Sequence, residues 1–228
     1  MEIWLFPVHN WPTLRRCSSG SRKKRSPSYE VPLYREGEPA ETLFILQAGL
    51  IKLTGTVEGH TDVLLRIVRA GELFGDQVLL GDTRRASVAE ALCDSIVREI
   101  SRREMLSRCR RQPELWDWLV GRLERRIEEV ERRVALISFF RVEQRILFLL
   151  SDLAMAYPPG VLETNGAEIP LSQSEIASLV GATRETTSTV LNSLERRGAL
   201  SLGRRHILVR SPAVLRGIAL GETNSAHV

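Results

Sequence analysis

Leu171-Ser172-Gln173-Ser174-Glu175-Ile176-Ala177-Ser178-Leu179-Val180-Gly181-Ala182-Thr183-Arg184-Glu185-Thr186 holds two helix starts and one helix stop in a single short stretch. Ser172 stands three residues before Glu175, the spacing at which a hydroxyl and a carboxylate satisfy the free N–H groups of a first helical turn. Gly181 ends the helix that they open. Thr183 then caps a helix predicted over residues 184–197, with Val190, Leu191 and Leu194 apolar and Gly198 as its stop. Two helices joined by a turn of about three residues containing glycine form a helix-turn-helix.

Working outward, Ala199-Leu200-Ser201-Leu202-Gly203-Arg204-Arg205-His206-Ile207-Leu208-Val209 reads as a hairpin with a basic tip, and a hairpin behind a helix-turn-helix makes a winged helix. Before it, residues 141–157 form another helical pattern, stopped by Pro158-Pro159-Gly160. The winged-helix unit is expected over 139–217, with 218–228 as a tail. Over 111–138 the period is helical and long. Trp116, Val120, Leu123, Ile127, Val130, Val134 and Ile137 step by four and three residues alternately, so they lie on one stripe. Charge covers the remaining faces, among them Arg122, Glu124, Arg125, Arg126, Glu128 and Glu129. A narrow apolar seam with charged flanks over about three heptads suits a two-stranded coiled coil and therefore a dimer.

Upstream, over 28–110, the texture changes to short β-rich runs: 43–46, 50–53, 63–68, 87–91 and 96–100. Glycines at 37, 49, 59, 71 and 81 punctuate them at a spacing that signals an antiparallel barrel or sandwich. Residues 1–27, with Pro7, Pro12 and the run Arg22-Lys23-Lys24-Arg25, show no apolar period and are expected to be a flexible leader. The fold class is thus α+β.

Of the 228 residues 43% are hydrophobic and 26% charged, which excludes wholesale disorder and fibrous repeats. No apolar run approaches the roughly 20 residues of a membrane helix, and no membrane partner is expected. Residues 1–7 lack a basic n-region and an adequate apolar stretch, so the protein is expected in the cytoplasm. Cys17, Cys93 and Cys109 are odd in number and nowhere spaced as Cys-x-x-Cys, and the four histidines form no metal-ligand pair. No Ser/His/Asp or Cys/His grouping, phosphate loop or metal cluster points to an enzyme, and no cofactor is expected. The net charge of +4 leans only modestly towards a polyanionic partner.

The segments 171–177, 181–186 and 194–200 closely resemble the DNA-binding domain of the cyclic-AMP receptor protein and fumarate-nitrate regulator (Crp/Fnr) family of bacterial transcription factors. Leu33-Tyr34-Arg35-Glu36-Gly37-Glu38-Pro39-Ala40-Glu41 and Leu43-Phe44-Ile45-Leu46 through Gly49 resemble the opening of that family's β-roll sensor. The resemblance covers roughly residues 28–215. It implies a homodimer made of a β-roll, a dimerisation helix and a winged helix, bound to double-stranded DNA at an inverted repeat. An activator of this kind would also meet RNA polymerase. The competing class is a binding module that regulates an attached partner, or an enzyme bearing a winged helix.

A recognition helix puts its N-terminal residues against base edges in the major groove, so Arg184, Glu185, Ser188 and Thr189 are the expected readers, behind the cap Thr183. Arg suits guanine O6 and N7, and Glu suits cytosine N4. At Thr189 several family members carry Arg, whose reach and charge a Thr lacks. Gln173, Arg204, Arg205 and His206 are expected at phosphates, where contacts position without reading sequence. In the sensor, the nucleotide-binding members use Gly-Glu for the ribose and, about ten residues later, Arg followed by Ser or Thr for the cyclic phosphate. Here Gly75-Asp76 and Arg85-Ala86 stand in that register, and Val130-Glu131 replaces a Thr-Ser pair that faces adenine. Each change removes a polar partner worth about 1 to 3 kcal/mol when buried. Cyclic-AMP control is therefore not expected, and Arg85 reads as a structural partner of Asp76. The iron-sulfur and haem modes of the family need cysteines or a pocket histidine that neither Cys17 nor His60, at a hairpin tip, supplies.

Overall fold

The computed structural model describes residues 13–17, 32–81, 83–156 and 166–221. They form two compact units. The first holds the described residues up to Gly59 together with Arg66–Leu123; the second holds His60–Leu65 and the described residues from Glu124 onward.

The antiparallel strands before the long helices are β1 (Thr13–Cys17), β2 (Thr42–Ala48), β3 (Ile51–Val57), β4 (His60–Val68), β5 (Leu73–Phe74), β6 (Val88–Ala91) and β7 (Ser95–Ser101), all within the first unit except the His60–Leu65 part of β4. They make two sheets, ordered β1-β7-β2-β5 and β4-β3-β6. The run Leu43-Phe44-Ile45-Leu46 is continuously apolar because both faces of β2 are buried. Leu43 and Ile45 pack with Ile100, Met105, Cys109 and Leu115; Phe44 and Leu46 pack with Tyr34, Ile51, Phe74 and Val97. Helix α1 (Arg102–Arg111) follows β7 without a break, its start capped by Ser101, whose hydroxyl accepts from Glu104 N at 3.1 Å. Only Met105 and Cys109, one turn apart, are buried on α1. So narrow a stripe explains why the sequence texture did not announce a helix before 110.

The leader expected over 1–27 needs correction. Thr13–Cys17 pairs antiparallel with β7, Thr13 opposite Glu99 and Cys17 opposite Ser95. A strand added to a sheet edge is held by backbone hydrogen bonds, which no side-chain period reveals. The basic run at 22–25 lies outside the described residues.

Between β2 and β3, Gly49 adopts φ +92°, and a Cβ built there would stand 2.6 Å from Asp94 O and 2.7 Å from Ser95 Cα. Both obstacles belong to backbone that cannot swing aside. Gly49→Ala is therefore expected to destabilise the first unit by about 2 to 5 kcal/mol, from left-handed strain plus overpacking, measured by chemical denaturation.

Helix α2 (Glu114–Phe139) crosses from the first unit into the second. The second unit continues with α3 (Val142–Met155), β8 (Ala167–Ile169), α4 (Gln173–Val180), α5 (Arg184–Arg196), β9 (Ser201–Gly203), β10 (His206–Val209) and α6 (Pro212–Leu220). Two expectations change here. The hairpin is a three-stranded sheet, β8-β10-β9, because Ala167–Ile169 pairs with β10. The tail expected from 218 begins later, since α6 runs to Leu220 and buries Leu215 and Ala219. Helix α3 buries Ile146, Leu147, Leu150, Leu153 and Ala154, and the Ser151 hydroxyl donates to Pro212 O at 3.0 Å, which joins it to the start of α6. Among the described residues no helix is long and apolar enough to cross a membrane.

Candidate nucleic-acid interface and effector pocket

Helix α4 starts on a complete capping box. Ser172 Oγ accepts from Glu175 N at 3.2 Å, and Glu175 Oε2 accepts from Ser172 N at 2.8 Å. The other end is held by two arginines from neighbouring helices. Arg145 Nη1 donates to Val180 O at 2.7 Å, and Arg133 Nη2 donates to Ser178 O at 2.9 Å. Cations on the last carbonyls of a helix complete its hydrogen bonds and oppose its dipole. Burial holds the Arg133 guanidinium below the usual arginine range. Gly181 makes the turn at φ 63°, and Thr183 Oγ1 accepts from Thr186 N at 3.2 Å to start α5.

Helix α5 has an inner face of Thr187, Leu191 and Leu194, all buried. Arg184, Glu185 and Thr189 are exposed and Ser188 is half-exposed, on the opposite face. The four readers expected from sequence thus share one surface at the helix start. The Thr189 hydroxyl donates to Glu185 O at 3.0 Å, so it is already spent on its own helix. At the far end of α5, Glu195 Oε1 accepts from Leu202 N at 2.7 Å and fixes β9 to the helix.

The hairpin tip carries Arg204 and Arg205, both exposed, with Arg205 at φ 63°. His206 is placed differently from these two. Its ring lies against Gly203, where any Cβ would collide with it, and its Nδ1 is 3.6 Å from Glu168 Oε1 on β8. Gln173, the first residue of α4, is half-exposed. Sequence reasoning missed Arg133 and Arg145, which act on carbonyls 45 and 35 residues away, and Glu195, which acts on an N–H in the next element; no local pattern marks such pairs.

In the first unit, Arg85 is only 5% exposed. Its Nη2 donates to Thr42 Oγ1 at 3.0 Å and its Nη1 to Gly75 O at 3.4 Å, while the guanidinium carbon lies 4.3 Å from the Tyr34 ring centroid. Tyr34, Phe44 and Phe74 stack on one another, with centroids 5.1 to 6.3 Å apart. Burial pushes the Tyr34 hydroxyl above its usual range and Arg85 below its own. Gly75 matters here because a Cβ would stand 2.6 Å from Arg85 Nη1. Asp76 is half-exposed beside it, at the start of a 3-10 turn, Asp76–Leu80. Ala86 faces solvent, and Val130 and Glu131 are exposed on the second unit's part of α2. Of the six pocket positions expected from sequence, Gly75 and Arg85 are in direct contact and Asp76 adjoins them. Arg85 Nε is buried without a hydrogen-bond partner. No group of three His, Cys, Asp or Glu residues suited to a metal occurs among the described residues.

Comparison with known proteins matches both units. The profile of the cyclic nucleotide-binding domain matches residues 30–112, and that of the Crp-like helix-turn-helix domain matches residues 144–218. The cyclic AMP receptor protein of Thermus thermophilus is 30% identical over 190 residues, 83% of this chain and 85% of the relative. The solved structure of a CRP-family transcriptional regulator from Thermus thermophilus superposes with a TM-score of 0.70 at 26% identity, covering 91% of this chain and 96% of that one. The c-di-GMP responsive global regulator CLP of Xanthomonas campestris shares the fold, with a TM-score of 0.64 at 22% identity over 86% of this chain and 93% of that one.

Proposed function

The chain belongs to the Crp/Fnr family of transcription regulators, and from that premise we propose that it acts as a homodimer on an inverted-repeat DNA site without control by cyclic AMP. Its helix-turn-helix is the family's DNA-binding domain, and its relatives are transcription regulators rather than enzymes. The observation that carries the dimer is the α2 stripe. Trp116, Val120, Leu123, Ile127, Val130, Val134 and Ile137 are each 42 to 59% exposed in the single chain. Seven large apolar side chains in one row need cover, and a second identical row supplies it. Two-fold symmetry then sets the DNA site. Two copies of α5 reach successive major grooves one helical turn apart, so the half-sites are inverted at about that spacing.

On each half-site Arg184 and Glu185 read one base pair apiece, Ser188 and Thr189 add short-range contacts, and Gln173, Arg204 and Arg205 hold phosphates. His206, lodged against Gly203, is the least free of the proposed phosphate ligands to reach out. Acting on chromosomal promoters places the protein in the cytoplasm, and as an activator it would touch RNA polymerase there. Selection from a random DNA pool is the direct experiment. It should return an inverted repeat, and a non-palindromic consensus would refute the proposal.

The relative from Thermus thermophilus is named for cyclic AMP. In this chain the Gly75-Asp76 carboxylate is one methylene shorter than Glu, Ala86 offers no hydroxyl, and Val130 and Glu131 stand in place of Thr and Ser. Arg85 is stacked on Tyr34 and bonded to Thr42 and Gly75. A phosphate would have to draw that guanidinium from an aromatic face and two acceptors. Calorimetry with cyclic AMP and cyclic GMP at millimolar concentration should show no saturable heat; a micromolar dissociation constant would overturn cyclic-nucleotide independence.

A further inference from the structure

Within the second unit the last turns of α2 hold the winged helix through three side chains that no proposed DNA contact uses. Arg133 spreads its fork between two elements. Nη1 donates to Leu65 O at 3.2 Å, in the part of β4 that belongs to this unit, and Nη2 donates to Ser178 O at 2.9 Å in the last turn of α4. Its neighbour Arg132 places Nη1 3.0 Å from Asp152 Oδ2 on α3, and the same carboxylate lies 3.3 Å from Arg216 Nη1 on α6. One turn beyond Arg133, Ile137 lies against the turn between α4 and α5, where a Cβ built on Gly181 would stand 3.3 Å from its Cδ1.

An element held at one point can swivel, whereas contacts to α3, α4 and the turn after it oppose rotation in different directions. Arg133 is the strongest of them. Its guanidinium is planar and always charged, so holding two carbonyls at once fixes the angle between them. One of those carbonyls is at the C-terminal end of α4, where the helix dipole favours a cation. Helix α5 follows α4 through Gly181, Ala182 and Thr183, so the face carrying Arg184 and Glu185 takes its position from α2. In the homodimer α2 lies along the two-fold axis. A fixed placement of α5 on α2 then fixes the distance and rotation between the two reading faces.

We propose that Arg133, assisted by Arg132, is a positioning residue that sets which half-site spacing the protein accepts, without itself touching DNA. This rests on the homodimer and inverted-repeat reading. A residue that reads a base alters the letters of the consensus; a residue that positions the reader alters the tolerance for the spacer between half-sites. One base pair added to that spacer turns one half-site about 35° around the duplex and moves it about 3.4 Å along the axis. A winged helix released from Arg133 can swivel to follow, and one held by it cannot.

The test is fluorescence anisotropy of the full chain with duplexes that carry the inverted repeat at its preferred spacing, or with one base pair added or removed between the half-sites. Wild type should favour the preferred spacing about thirtyfold. Arg133→Met keeps the stem and removes the fork; it should weaken the preferred site about tenfold and the altered sites little, leaving a preference of about threefold. Arg133→Lys has one point charge for two carbonyls and should fall between. Arg132→Gln should lower the preference about twofold, because its ion pair is half-exposed. The bases selected within each half-site should stay the same in all three variants. Loss of affinity by one common factor at every spacing marks a merely structural role and would overturn the proposal. So would an unchanged preference in Arg133→Lys and Arg132→Gln, the two variants that decide the matter if circular dichroism shows Arg133→Met unfolded. A wild type that binds all three spacings alike, or a single half-site as tightly as the repeat, would overturn the inverted-repeat reading as well.

Discussion

Val130→Glu should leave the protein monomeric at concentrations where the wild type is dimeric, and should lower its DNA affinity at least a hundredfold. Val130 is 57% exposed in the single chain, so a carboxylate there remains solvated until a partner arrives. In the dimer, position 130 faces its own copy across the two-fold axis, and two carboxylates lose water together with no counter-charge in the seam. An unpaired buried charge costs about 3 to 5 kcal/mol, which corresponds to roughly a hundredfold to several thousandfold in the dimer dissociation constant. DNA binding falls with it, because a monomer engages one half-site and loses the effective concentration that brings the second helix to its groove. Thermal unfolding of the variant should match wild-type monomer, since the side chain touches no core. Sedimentation and gel retardation are the measurements. A variant that remains dimeric would place the seam on another face.

Arg184→Ala and Arg205→Ala should weaken DNA binding in two different ways. Arg184 opens α5 on the exposed side, behind the Thr183 cap that fixes the helix start. Losing a bidentate contact to guanine costs about 1 to 3 kcal/mol, or about 5- to 150-fold for each half-site, and preference at one base pair should relax. Arg205 is exposed at the hairpin tip, where the contact proposed for it is to phosphate. Its removal should weaken all sequences alike and lower the salt slope by about one for each half-site. Thr189 should add little discrimination, because its hydroxyl is engaged by Glu185 O. An Arg184→Ala protein that selects an unchanged consensus would show that α5 reads DNA from another surface.

The features legible from the chain alone are those decided within a few residues of one another. Ser172 and Glu175 close a capping box, Gly181 turns at positive φ, and Thr183 caps the next helix, each through bonds spanning three or four positions. Residues 184, 185, 188 and 189 share a face for the same reason, as helical geometry alone sets that face. The apolar row on α2 is a matter of period, and its exposure along the helix follows from the alternating steps of four and three. Even the proposed independence from cyclic AMP is argued from which atoms the side chains at Asp76, Ala86 and Val130-Glu131 possess.

What tertiary structure decided is everything that depends on a partner far along the chain. β1 and β8 are strands because β7 and β10 offer open edges, and backbone N–H and C=O groups pair without regard to side-chain pattern. Arg133 and Arg145 look like two more charges on polar helix faces until α4 brings its last carbonyls to them. His206 reads as a phosphate ligand at a basic hairpin tip, yet its ring packs against Gly203, with Nδ1 3.6 Å from Glu168 Oε1 on β8. Arg85 lies over Tyr34, 51 residues earlier in the chain, in an aromatic stack assembled from β2, β5 and the turn before them. Composition and periodicity report what a residue prefers from its neighbours in sequence. Which distant carbonyl, ring or carboxylate satisfies it is settled only when the fold brings the two together and removes the water between them.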